Sequence, residues 1–255
     1  MIEDFKRFES LFHELNDALQ KSVHTYIIGG AALLGRGIKA ATKDIDIVVA
    51  TREEFLEFQK ALDSINFAPT TPGKEYTHMN LSQIFQRGEF RIDLFEKEVC
   101  GKFSLSKSMM KRGEKVMKFK NLHVFLCSNE DIFLFKTMTE RDGDLLDCIS
   151  IATTQSPDWN SILDELKHQI KETKQDIWIT WVGERLDILK ERGLDIPILK
   201  EVDILREKFF EDFEKKIKKL PENSLSHRSL RSLHCKQWGI TRIFSLRDRQ
   251  FLISK

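Results

Sequence analysis

Apolar residues recur every three or four positions over residues 2–21, at Phe5, Phe8, Leu11, Phe12, Leu15 and Leu19, which is the spacing of one buried helix face. The pattern returns over residues 52–64 with Phe55, Leu56, Phe58 and Leu62, and Thr51 stands where a cap belongs. Between these helices the period changes. Tyr26, Ile27 and Ile28 form an apolar run short enough for a buried strand, and residues 44–49, Asp-Ile-Asp-Ile-Val-Val, are β-branched and strand-like. Residues 67–75 hold two prolines, two threonines and a glycine, and predict a loop. Residues 81–87 fit neither period. Residues 89–95 alternate, with Phe90, Ile92 and Leu94 on one side and Arg91, Asp93 and Phe95 on the other. Residues 116–127 read as two short strands around Asn121, and Ser128-Asn129-Glu130-Asp131 opens a helix that runs through Met138.

The rest of the chain is helical in pattern. Residues 158–171, 177–192 and 198–220 each show helical apolar spacing, with Pro197 and Pro221 bracketing the third. The middle helix carries Trp178, Trp181, Val182, Leu186 and Leu189, aromatics at core spacing that are assigned to packing rather than base stacking. The predicted division is residues 1–153, a helical region 154–222 and a basic segment 223–255.

Charge alters this picture only at the end of the chain. With 41 basic against 40 acidic residues the whole is near neutral, which argues against a globally basic nucleic-acid binder but leaves room for a local patch. Residues 225–255 hold seven basic residues against one acidic, a net of +6 that reads either as a patch for RNA or DNA phosphates or as a solvated tail. A helix over about 226–238 followed by a hairpin around residues 247–249 would make a winged-helix-like ending. No apolar run approaches a membrane span, and the acidic N-terminus lacks the apolar centre of a signal peptide, so the expected location is the cytoplasm. Cys100, Cys127, Cys148 and Cys235 lack metal-ligand spacing and read as reduced packing residues.

Candidate chemistry gathers in residues 26–50. Gly29 and Gly30 follow the first strand where a side chain would be in the way, and a short helix from about Ala31 would present its free N–H groups beside them, a placement that suits phosphate. Asp44 and Asp46 lie on one face of the next strand with Cα atoms roughly 6.5 Å apart. Two such carboxylates repel each other unless a cation lies between them, most simply Mg²⁺ or Mn²⁺. Asp93 is the one aspartate of its segment with strand context; it reads as a third carboxylate of this group or as an exposed one paired with Arg91 or Lys97. Lys136 stands in an apolar helix, where it either snorkels to solvent or serves a site.

A GG pair at one strand followed by DxD at the next resembles the nucleotidyltransferase superfamily related to DNA polymerase β. The resemblance implies an α+β fold, a small mixed sheet flanked by helices and followed by a mainly helical C-terminal region. The stretch K-x4-R-x2-D-x2-D formed by Lys136, Arg141, Asp144 and Asp147 resembles a motif of the AbiEii-like branch, which includes toxins of type IV toxin–antitoxin systems. It implies that Gly29, Gly30 and Thr42 hold the nucleotide, with Lys136 at the phosphates and Asp144 or Asp147 orienting it or reaching the nucleotide. It further implies that Asp44, Asp46 and Asp93 bind two Mg²⁺ or Mn²⁺ ions and that Asp93 serves the attacking hydroxyl as base. Ala40 replaces the arginine of an R-x-T-x-D-x-D pattern, with Lys39 beside it, and Gly143-Asp144 replaces Lys-Asp, departures that bear on nucleotide choice. The expected activity is transfer of NMP from an NTP such as ATP to an acceptor hydroxyl with release of pyrophosphate. RNA, as a tRNA 3′ end, is the first acceptor and a small molecule or protein the second; a non-catalytic nucleotide-binding or interaction module is the third reading. A toxin of this branch would have an antitoxin protein as partner.

Overall fold

The computed structural model describes residues 1–70, 83–99 and 101–218. In its first part, α1 (Lys6–Ala18), β1 (Val23–Ile28), α2 (Gly29–Gly35), β2 (Ile45–Val49) and α3 (Arg52–Ser64) follow one another. Helix α1 buries Phe8, Leu11, Phe12 and Leu15, the residues its period singles out. Helix α3 starts where Thr51 accepts a hydrogen bond from the Glu54 N–H, 3.2 Å away, which satisfies one of the free donors of its first turn.

Next come β3 (Ala68–Thr70), β4 (Gln83–Arg87), β5 (Phe90–Glu96), the β6 (Glu98–Val99) and β7 (Phe103–Ser104) ribbon, α4 (Lys107–Arg112), β8 (Glu114–Lys118) and β9 (Leu122–Leu126). Strand β3 lies where a loop is expected. It is the outermost strand of the sheet, and there Pro69 lacks only an N–H that an edge strand need not donate.

Among the described residues, seven strands form a mixed sheet in the order β3-β4-β5-β2-β1-β9-β8. Strand β2 runs antiparallel to β1 and parallel to β5, and this central trio brings the two predicted aspartate strands side by side, with Asp46 in register with Asp93. Helices α1 and α3 pack together, and α3 also packs on β1, β2 and β5.

The chain continues with α5 (Asn129–Thr137), α6 (Asp142–Gln155), α7 (Trp159–Thr173), α8 (Trp178–Glu191) and α9 (Leu199–Lys218). Ser128 caps α5 by accepting from the Asp131 N–H. Helices α6, α7 and α8 all pack on α5, and α7 also packs on β7. Trp178 is buried there, as its spacing predicts, and Cys127 and Cys148 are buried free thiols. A buried polar cluster ties these helices to α4: the Arg112 guanidinium bonds Asp131 at 2.6 Å and Glu165 at 2.7 Å, and Glu165 also accepts from Ser108 and Gln169.

The fold is therefore α+β, with helices flanking a mixed sheet and a helical C-terminal part. Met1–Asp203 form one compact unit, and a second begins at Ile204, where α9 runs on with Phe209 and Phe213 stacked. No helix among the described residues is long and apolar enough to cross a membrane. The basic segment 225–255 with its expected helix and hairpin, together with Cys100 and Cys235, lies outside the described residues.

Candidate active site

Helix α2 begins at Gly29, two residues earlier than expected, because Gly29 takes φ +63°, a left-handed conformation that lets the strand turn directly into the helix. What lies in the way of a side chain here is the protein itself. A β-carbon on Gly29 would stand 2.2 Å from Asp46 Oδ2, and one on Gly30 would stand 2.7 Å from Thr42 Oγ1. The pair of glycines thus lets β2 and the loop before it close against the turn. That loop is fixed at its end: Ile2 and Thr42 exchange backbone hydrogen bonds of 2.8 and 2.9 Å, and the Thr42 hydroxyl donates to the Asp44 carbonyl at 3.0 Å.

Asp44 precedes β2 by one residue and Asp46 is its second, both partly exposed. Burial pushes the Asp46 carboxyl well above the usual carboxylate range, and Asp44 and then Asp93 add to the push; Lys136 and Arg141 pull the other way. Asp93 is buried, not exposed, and of the two partners the sequence offers, Arg91 and Lys97, Arg91 holds it. Arg91 donates through Nε to Oδ1 and through Nη2 to Oδ2, both at 2.8 Å. Burial raises the Asp93 carboxyl, and these two bonds counter it.

Lys136 does not snorkel. Its ammonium is buried between two carboxylates of α6, 2.7 Å from Asp144 Oδ1 and 2.7 Å from Asp147 Oδ2, so both aspartates orient it. Burial alone would favour the neutral amine, but the pull of Asp144 and Asp147 outweighs it and holds the ammonium above the usual lysine range. Arg141 bonds the other oxygen of Asp144 at 2.7 Å, and Thr139 donates to the same oxygen. Lys39, from the loop before β2, reaches both oxygens of Asp147 at 2.9 Å. The result is a row of alternating charges, Lys39, Asp147, Lys136, Asp144 and Arg141.

All nine residues singled out from the sequence line one cleft of about 440 Å³: Gly29, Gly30, Thr42, Asp44, Asp46, Asp93, Lys136, Asp144 and Asp147. Lys39, Thr139 and Arg141 line it too and carry its polar contacts, but were not among the candidates. Arg141 was in view inside the K-x4-R-x2-D-x2-D stretch. The reach of Lys39 to a residue 108 positions away had no local signal.

Asp44 and Asp46 present hard oxygen donors, and their repulsion concentrates negative charge at one point, as a hard ion held by one or two carboxylates plus phosphate requires. Asp93 adds charge nearby, but both of its oxygens accept from Arg91. Among the described residues no three His, Cys, Asp or Glu side chains converge as a ready metal site. Asp44 and Asp46 thus supply donors that fit a divalent ion.

A family model described as nucleotidyltransferase of unknown function (DUF6036) matches residues 6–182, more than half of the chain. The chain belongs to this family. The match takes in the sheet, the cleft and the helices through the start of α8, and the nucleotidyltransferase identity agrees with the GG and DxD spacing at superfamily level. No curated protein matches this nucleotidyltransferase. A solved structure, ANT(2")-Ia in complex with adenylyl-2"-tobramycin, is similar over 61% of this chain and 92% of that chain, with 13% identity and a TM-score of 0.40.

Proposed function

We propose that this nucleotidyltransferase moves an NMP from an NTP to a hydroxyl of RNA, at a tRNA 3′ end, and that it acts as the toxin of a toxin–antitoxin pair. The observation that carries the catalytic part is the meeting of the glycine turn, the Asp44 and Asp46 carboxylates, Asp93 and the Lys136 network in one cleft. Support for the toxin branch comes from the K-x4-R-x2-D-x2-D stretch, and support for RNA from the net charge of +6 over residues 225–255.

In this reading Asp44 and Asp46 would hold Mg²⁺ or Mn²⁺, which would supply positive charge against the phosphates. The turn at Gly29 and Gly30, closed on one side by Asp46 and Thr42, offers its cleft side to the triphosphate. Lys136, clamped by Asp144 and Asp147, presents a fixed positive charge to the phosphates. Asp93 takes the proton of the attacking hydroxyl, and the fork of Arg91 keeps that carboxylate oriented.

The acceptor is tested by incubating the chain with Mg²⁺, each α-labelled NTP and total cellular RNA across a salt series. Label on RNA that falls steeply between about 50 and 200 mM salt is the expected result. Label that reaches only a small-molecule or protein fraction, indifferent to salt, would remove the RNA acceptor and the toxin role with it.

A further inference from the structure

The row of alternating charges has a buried centre and two exposed ends. Lys136, its side chain only 7% exposed, holds two buried carboxylates together, and moving it would leave both short of a partner. Arg141 is one end, and it feels the charges of Asp46 and Asp44. Lys39 is the other, with a side chain 36% exposed.

Lys39 lies at the glycine turn. Its Cδ is 3.9 Å from the point where a β-carbon on Gly30 would be, so its stem crosses directly over Gly30. Its backbone is held in place, since the N–H groups of Ile38 and Lys39 both donate to the Leu33 carbonyl and the Ile2 bridge fixes Thr42. The side chain alone is left to choose a partner. Its present one, Asp147, has another: Lys136 also lies 2.7 Å from Asp147 Oδ2. Releasing Lys39 therefore strands no buried charge.

We propose that Lys39 is a phosphate contact of this site, and that its ammonium leaves Asp147 for the triphosphate when a nucleotide settles at Gly29 and Gly30, while Lys136 keeps both carboxylates. The exchange needs only side-chain rotation. It trades one charge-assisted pair for another with a more highly charged partner. It rests on the nucleotide reading given above, and it adds a specific consequence: Lys39 senses the outer phosphates, so its removal affects triphosphate and monophosphate unequally.

The test is equilibrium binding, with Mg²⁺, of non-transferable analogues of the four NTPs and of the matching NMPs to the wild-type chain, Lys39→Met and Lys39→Arg. For the analogue that wild type binds best, Lys39→Met weakens the triphosphate about tenfold and the monophosphate less than about twofold, and Lys39→Arg restores most of the loss. The melting temperature of Lys39→Met stays at the wild-type value, because Asp147 keeps Lys136. Unchanged triphosphate binding in Lys39→Met, or equal losses for both ligands, overturns the assignment. A wild-type chain that binds none of the four analogues overturns the nucleotide reading itself.

Discussion

A β-carbon on Gly29 would lie 2.2 Å from Asp46 Oδ2, so the glycine turn and the carboxylate strand are a single packed unit rather than two motifs that share a cleft. The absence of a side chain at Gly29 is what lets Asp46 sit where it does. Gly29→Ala meets both this clash and the left-handed φ of +63°. The carboxylate must shift by about an ångström, and nucleotidyl transfer is expected to fall about a hundredfold while the chain still folds cooperatively. Transfer rates and circular dichroism on the same preparation check this. A Gly29→Ala chain with wild-type activity would separate the turn from the chemistry.

Asp46 is also where the carboxylates cost the apo protein stability. Its carboxyl is held above the ordinary value by burial and by Asp44 and Asp93, so folded-state stability is lost as pH rises through that raised pKa. Asp46→Asn removes the charge and should melt at or above the wild-type temperature at pH 7 without divalent ions. Saturating Mg²⁺ or Mn²⁺ should raise the wild-type melting temperature by about 5 °C and that of Asp46→Asn by less than about 1 °C. Thermal denaturation with EDTA and with each ion gives all four values.

Arg91 and Asp93 make a buried pair whose members are not separately dispensable. Arg91→Met takes both donors from the Asp93 carboxyl, which is 3% exposed, and breaking such a pair costs about 3 kcal/mol. The double variant Arg91→Met/Asp93→Asn removes the stranded carboxyl and should recover much of that loss. Denaturant midpoints for the wild type, both single variants and the double variant close the cycle. A double variant no more stable than Arg91→Met would mean that the pair is not coupled.

Most of the fold was legible because its signals are local. Thr51 and Ser128 cap the helices they were expected to cap, α3 has the predicted bounds, and the alternation around Asp93 is a strand shifted by one residue. The paired carboxylates were legible because two aspartates two apart on a β-branched run leave few arrangements. Other features depend on distant residues. Strand β3 exists because β4 pairs with it, despite Pro69, and residues 83–87 became a strand by lying between β3 and β5. Residue 29 at the start of α2 has to be glycine because Asp46 occupies the space a side chain would need. Lys39 meets Asp147 only after the sheet and α6 are assembled.

Within the cluster around Arg112, Glu165 gives a pH dependence of opposite sign to that of Asp46. Burial raises the Glu165 carboxyl, but bonds from Arg112, Gln169, Ser108 and Ser106 outweigh it and hold it below its ordinary value of 4.5. Its stabilisation is complete above that value and is lost as pH falls through the depressed pKa. Glu165→Gln should therefore cost about 2 kcal/mol at pH 7, and the gap to wild type should narrow below about pH 4.5. Melting temperatures of the two chains from pH 3 to 8 test this, and a gap that widens in acid would contradict it.

The central claim, that this cleft transfers nucleotides, is tested most directly by pyrophosphate release coupled to transfer of label from an α-labelled NTP, measured for the wild type and for Asp46→Asn side by side. The account predicts ion-dependent release with label retained on an acceptor in the wild type, and neither in an Asp46→Asn chain that still folds. Equal transfer by both chains would contradict it.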